Sequence, residues 1–254
     1  MKIERLRTII AYSDKNREEI YSMVKRFCSF AGIEYDSDLL NILQIVRSSF
    51  QKKGYFVFEM PFADDGIITD DLIIERNNSD LANILGNLVN RTISMSYKYF
   101  DGIVENKNVK TDVDKDLIEK LSALPLNFKN KMDELRIADA IDEVFNCLRA
   151  SNKYIDETTP WVLAKEGRTE ELASVMNHLA NAIFIAGMLL KPVLVKASDN
   201  LFAQLGLPED LIKYDNVYKF GCIQNVKVNK GDQLFPRLDA SIEVPFIQEM
   251  MVGK

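Results

Sequence analysis

Three side chains set the chemical possibilities of this sequence: Asn87, Arg91 and Trp161. Asn87 and Arg91 stand four residues apart, and within a helix that spacing puts both on one face, one turn from each other. An amide offers a donor and an acceptor to the edge of a nucleic-acid base. A guanidinium adds a planar fork of donors and a flat surface for stacking. Such a pair suits the reading of unstacked bases in a single-stranded loop, although an ordinary solvated helix face carries the same spacing. Trp161 is the sole tryptophan, follows Pro160 and has Lys153 and Lys165 nearby. An indole at a helix–loop junction is a stacking platform worth ~1–3 kcal/mol per base. The alternative is an indole packed into the core.

Covalent chemistry finds little support. His178 is the only histidine, so a catalytic zinc site or a Ser-His-Asp triad is hard to assemble, though His178 alone could act as a base. Cys28, Cys147 and Cys222 are far apart, match no metal-ligand motif and read as reduced thiols. No glycine-rich phosphate loop is present. The carboxylate pairs Asp64-Asp65, Asp70-Asp71 and Glu170-Glu171 fit helix starts, where the helix dipole favours negative charge, better than acid–base catalysis. No metal or cofactor is expected.

The net charge of −6 divides into about +3 over residues 1–58 and about −9 over the rest. That balance argues against non-specific affinity for polyanions and leaves room for a local site that reads a few bases. With 254 residues, 47% of them hydrophobic and 28% charged, the composition is that of a soluble globular chain. There is no run of about 18 apolar residues, so no membrane partner is expected. The charged start Met1-Lys2-Ile3-Glu4-Arg5 is unlike a signal peptide, and a cytoplasmic location is expected.

The elements that must position these residues are mostly helical. Residues 1–58 read as a small α/β segment: helices over Glu18–Phe30 and from Asp38, then the strand formers Tyr55–Phe58. A long helical stretch runs from about Asp70 to Tyr99, with a break expected at Asn77-Asn78 and an end at Asp101-Gly102. Helical pattern resumes at Asp114–Leu121, and Pro125 reads as the start of a further helix to about Asn152. Thr169 opens a helix that is nearly all apolar from Leu179 to Leu190, which predicts a central, buried position. Pro192 interrupts it, and a last helix covers about Val193–Leu205, closed by Gly206. Ile223–Val228 and Ile242–Phe246 are strand-like.

These same residues carry a resemblance. Asn87-Leu88 with Arg91 matches the N-L-x-x-R helix segment of the methionyl-tRNA synthetase family, and Pro160-Trp161 matches its P-W corner. Glu59-Met60-Pro61-Phe62 is similar to that family's E-V-P-F-G-x-D-G, with Ala63 in place of the glycine. The match continues through Gln204-Leu205-Gly206-Leu207 to Leu234-Phe235-Pro236-Arg237-Leu238-Asp239, and departs from the family's proline-rich pattern at Leu190-Lys191-Pro192-Val193-Leu194. It covers about 59–239 and resembles the anticodon-binding helical domain alone. H-I-G-H cannot be built from one histidine, and K-M-S-K-S, the zinc-knuckle cysteines and an appended tRNA-binding barrel are not found.

The resemblance implies a mainly α fold: an antiparallel helical bundle of the class I synthetase anticodon-binding type, with a small α/β N-terminal extension. The expected division is 1–58 extension, 59–239 bundle and 240–254 tail. It implies a non-catalytic module that recognises the CAU anticodon of methionine tRNA, with Trp161 stacking and Asn87 and Arg91 on base edges. Pro160 and Asp156 support the corner, Asp156 by hydrogen bonding. Two rival readings stay open: the anticodon half of a split ligase that recruits a separate catalytic chain, and a scaffold that binds a protein partner through residues 1–58. The first reading requires an accessible Trp161, and the scaffold a covered or buried one.

Overall fold

A computed structural model describes residues 70–245 of the chain. They fall into two units, 78–236 and a second to which 70–77 and 237–245 belong. The α/β extension expected at 1–58, and the segment Glu59–Ala63, lie outside the described residues. In order, the elements are α1 (Asp70–Arg76), a run of wide π-helical turns (Asn77–Gly86), α2 (Asn87–Phe100), β1 (Ile103–Glu105), α3 (Asp112–Asp133) and α4 (Ile137–Thr158). Then come α5 (Pro160–Lys165), α6 (Thr169–Leu190), α7 (Val195–Gln204), a 3-10 turn (Tyr214–Tyr218) and β2 (Asn225–Lys227).

The bundle is organised by α6. Every residue from Leu172 to Leu190 is buried, because a helix apolar on all sides has no face to offer water. It packs against α2, α3, α4, α5, α7 and β1. By length and composition α6 could cross a membrane, but its apolar window is wholly enclosed by the bundle, as befits a core helix. Gly187 permits the close approach of α7: a Cβ there would stand 3.0 Å from side-chain atoms of Leu201 and Phe202. Two buried asparagines on α6 tether the chain that returns to it. Asn177 Nδ2 donates to the Ile223 carbonyl at 2.8 Å, and Asn181 Oδ1 accepts from the N–H of Gly221 at 3.1 Å and of Ile223 at 3.3 Å. This return brings β2 antiparallel to β1, with Val104 opposite Val226.

Three sequence expectations need correction. The break at Asn77 is real but takes the form of ten wide helical turn residues, Asn77–Gly86, before regular helix resumes at Asn87. Asn77, Asn78, Ser79 and Asp80 have side chains that compete for backbone hydrogen bonds, which loosens the α pattern. Pro125 does not start a helix but lies buried inside α3, and the break comes ten residues later, where Leu135 adopts a left-handed conformation (φ 61°). There the N–H of Arg136 donates to the Lys131 carbonyl at 2.9 Å and that of Leu135 to Met132 at 3.0 Å, a helix stop built without glycine. The strand expected around Ile242 is helical over 240–245, and β1 went unrecognised at three residues.

One buried polar cluster joins α3, α4 and α6. The Tyr154 phenol, from α4, donates to Asp114 Oδ1 at 2.5 Å, and the N–H of Thr111 donates to Asp114 Oδ2 at 2.5 Å. His178 Nδ1, from α6, lies 3.1 Å from the phenol oxygen and 3.6 Å from Asp114. All three side chains are almost fully enclosed. Burial alone would raise the Asp114 carboxyl, but the nearby His178 ring and the hydrogen bonds from Tyr154 and Thr111 outweigh it and hold the group at about 2, against an ordinary 3.8. Burial, then the bond to Asp114, pushes the Tyr154 phenol far up, so it stays a donor.

A carboxyl depressed by folding adds stability that is fully present above its ordinary value and is lost as pH falls through the depressed one. Wild type is therefore expected to lose about 2 kcal/mol relative to Asp114→Asn as pH drops from about 6 to about 2. Urea unfolding of both proteins across that range measures it.

Candidate functional site

Asn87 is the first residue of α2, directly after the wide turns, and is exposed. Leu88, Val89, Thr92 and Ile93 are buried beneath it and fix the rotation of the helix. That rotation turns Asn87 outward and leaves Arg91, one turn on, half-buried. Gly86 marks the junction: a Cβ there would stand 3.2 Å from the Leu81 carbonyl, five residues back in the wide-turn run.

Arg91 does not stand alone. Its Nη2 donates to Asp156 Oδ1 at 2.9 Å, joining α2 to the last turn of α4. The Arg91 side chain is 30% exposed and that of Asp156 66%. An ion pair so open to water adds only ~0.2–1 kcal/mol to stability. Its effect is geometric: one edge of the guanidinium is committed to the carboxylate, and Nε and Nη1 make no hydrogen bond among the described residues. The hydrogen bond expected of Asp156 at the corner runs instead to Arg91.

The corner follows Asp156. Thr158 ends α4 with its Oγ1 donating to the Tyr154 carbonyl at 2.7 Å, and the Thr159 N–H donates to Ile155 at 3.1 Å. Thr159 is left-handed (φ 43°), a rare conformation for a β-branched residue. Pro160 is the first residue of α5, where its missing N–H costs nothing, and is buried. Its neighbour Trp161 is 48% exposed, while Leu163 on the opposite side of the short helix is buried. The N–H of Val162 donates to the Thr159 carbonyl at 2.8 Å and closes the turn.

The fold therefore brings Arg91 and Asp156 into contact, holds Asn87 on the same face as Arg91, and presents an open indole just beyond Asp156. The structure records no contact of Trp161 with Asn87 or Arg91. Asn152, one turn before Asp156 on α4, was missed by the sequence reading. Its Nδ2 donates to the carbonyls of Ile84 (3.1 Å) and Leu148 (3.2 Å), pinning α4 to the end of the wide-turn run. Tyr154, Asp114 and His178 were missed as a unit as well. Asp114 reads as a helix-start acid, and nothing in the sequence pairs it with a residue on another helix. Lys153, near the corner, is held by Glu157 at 2.6 Å.

Residues 104–238 match the family described as the anticodon binding domain of methionyl tRNA ligase. The methionine–tRNA ligase of Bacillus subtilis (strain 168) is 41% identical over 202 residues, which cover 78% of this chain and 30% of that protein. That of Listeria innocua is 43% identical over 204 residues, 78% of this chain and 31% of the ligase. The chain thus spans about a third of the length of these curated relatives. Because the matches take in 78% of the chain, the segment from Asn87 to Trp161 lies inside them. Mycobacterium tuberculosis methionyl-tRNA synthetase in complex with methionyl-adenylate superposes with a TM-score of 0.66 at 28% identity, covering 77% of this chain and 38% of that one. Its free-state structure gives a TM-score of 0.67 at 24% identity over 85% of this chain and 47% of that one, a likeness of fold. The chain belongs to the family of methionyl-tRNA ligase anticodon-binding domains.

Proposed function

We propose that this chain binds the anticodon arm of methionine-type tRNA and reads its CAU triplet, without charging the tRNA itself. Trp161 stacks on one unstacked base. Asn87 and the edge of Arg91 that is not bonded to Asp156 contact the edges of others, and Asp156 holds Arg91 in the orientation that presents that edge. Pro160, buried beneath the corner, fixes where the indole emerges.

The observation that carries this reading is the 48% exposure of Trp161. A scaffold that had kept the fold without the binding role would be expected to cover its one large aromatic at this corner. The acidic charge of −6 fits readout by stacking and base edges better than a grip on phosphates.

Trp161→Ala is expected to weaken binding of methionine tRNA roughly 5- to 150-fold, the span of one lost base stack. Titration at about 0.15 M salt, with an altered-anticodon tRNA as the second ligand, measures it. The wild-type chain should prefer the CAU tRNA, and no binding to any tRNA would sink the proposal.

Asp156→Asn is expected to leave stability within ~1 kcal/mol of wild type, because an exposed ion pair contributes little. The same change should reduce discrimination against altered anticodons by releasing Arg91. Urea unfolding and paired tRNA titrations of one preparation separate the two effects.

A further inference from the structure

We infer that Tyr154 is a positioning residue for the corner that carries Trp161, anchored by Asp114 and His178 from two other helices. The inference rests on the anticodon-reading role proposed above for Trp161.

Tyr154 is connected at both of its ends. Its phenol donates to Asp114 Oδ1 at 2.5 Å, in the first turn of α3. Since that proton is committed to the carboxylate, His178 Nδ1 at 3.1 Å must be the donor to the phenol oxygen. At its other end the Tyr154 carbonyl accepts from Thr158 Oγ1 at 2.7 Å. The next residue is Thr159, whose φ of 43° puts a β-branched side chain in the left-handed region. Backbone of that kind persists only where its surroundings over-determine it.

Pro160 supplies part of that constraint by disfavouring right-handed helix at the residue before it. The apolar neighbours Ile155 and Leu163 fill space. Apolar contacts are not directional, whereas the phenol–carboxylate bond sets both the rotation and the height of the last turn of α4. Trp161 makes no side-chain hydrogen bond among the described residues, so its placement reaches it through the backbone of this turn. Asp156 stands in the same turn. One joint therefore positions the indole and the carboxylate that orients Arg91.

Trp161 is the only tryptophan, so its quenching by acrylamide reads the corner without any RNA. The full chain is compared as wild type, Tyr154→Phe and Ser151→Ala. The control removes another buried α4 hydroxyl, whose bond goes only to the Cys147 carbonyl at 2.8 Å. Tyr154→Phe is expected to keep wild-type far-ultraviolet dichroism, to alter Trp161 quenching and to bind CAU tRNA roughly tenfold more weakly, within the span of one impaired base stack. Its affinity for the altered-anticodon tRNA should stay unchanged, so discrimination falls. Ser151→Ala should change neither quenching nor discrimination. Quenching and discrimination like wild type in Tyr154→Phe, or the same losses in Ser151→Ala, overturn the inference. If Tyr154→Phe does not fold, Asp114→Ala, which removes the acceptor of the phenol bond, is judged by the same two outcomes. If wild type binds no tRNA, the proposed function fails while the quenching comparison still decides the positioning role.

Discussion

Burial of α6 on every side is the constraint from which the rest of the architecture follows. A helix with no polar face must be surrounded, and no two neighbours are enough. The chain answers with helices on all sides, and it uses the few polar residues of α6 as registration points. Asn177 and Asn181 bind the returning loop at Gly221 and Ile223, and His178 meets Tyr154 of α4. A buried amide left without partners would be costly, so each of these bonds specifies one arrangement of the surrounding elements.

The candidate site lies at the edge of this scaffold rather than within it. Its most open members, Asn87 and Trp161, are held from behind: α2 by its buried residues Leu88 to Ile93, and the corner by Pro160 and by the hydrogen bonds that end α4. The Arg91–Asp156 ion pair bonds α2 directly to α4. Its weakness as a stabilising interaction is consistent with a role in orientation. The Thr159 backbone is the point where local preference yields to the fold, as is common where a side chain must emerge at a fixed angle.

Much of this was legible in the residues. The apolar run Leu179–Leu190 announced a central helix and Gly206 closed the last one, while Asn87, Arg91, Pro160 and Trp161 stood out as candidates through the family resemblance rather than through their spacing alone. What was not legible depended on partners distant in sequence. Pro125 reads locally as a helix start, yet it is buried within α3, because packing can override the local signal. Leu135 in a left-handed turn carries no glycine or asparagine to betray it. Strands as short as β1 and β2 exist because α6 tethers bring them together, and three residues give no period to read. The Asp114–Tyr154 bond spans 40 positions and is invisible to any window along the chain.

The central claim is that Trp161 meets an RNA base. Its emission, recorded while a hairpin carrying the CAU anticodon loop is added, tests that most directly, since no other tryptophan contributes. The account predicts saturable quenching by the CAU hairpin and little change with a hairpin of altered loop at the same salt. Binding of the CAU hairpin detected by anisotropy of a label on the RNA, with Trp161 emission unchanged, would contradict it.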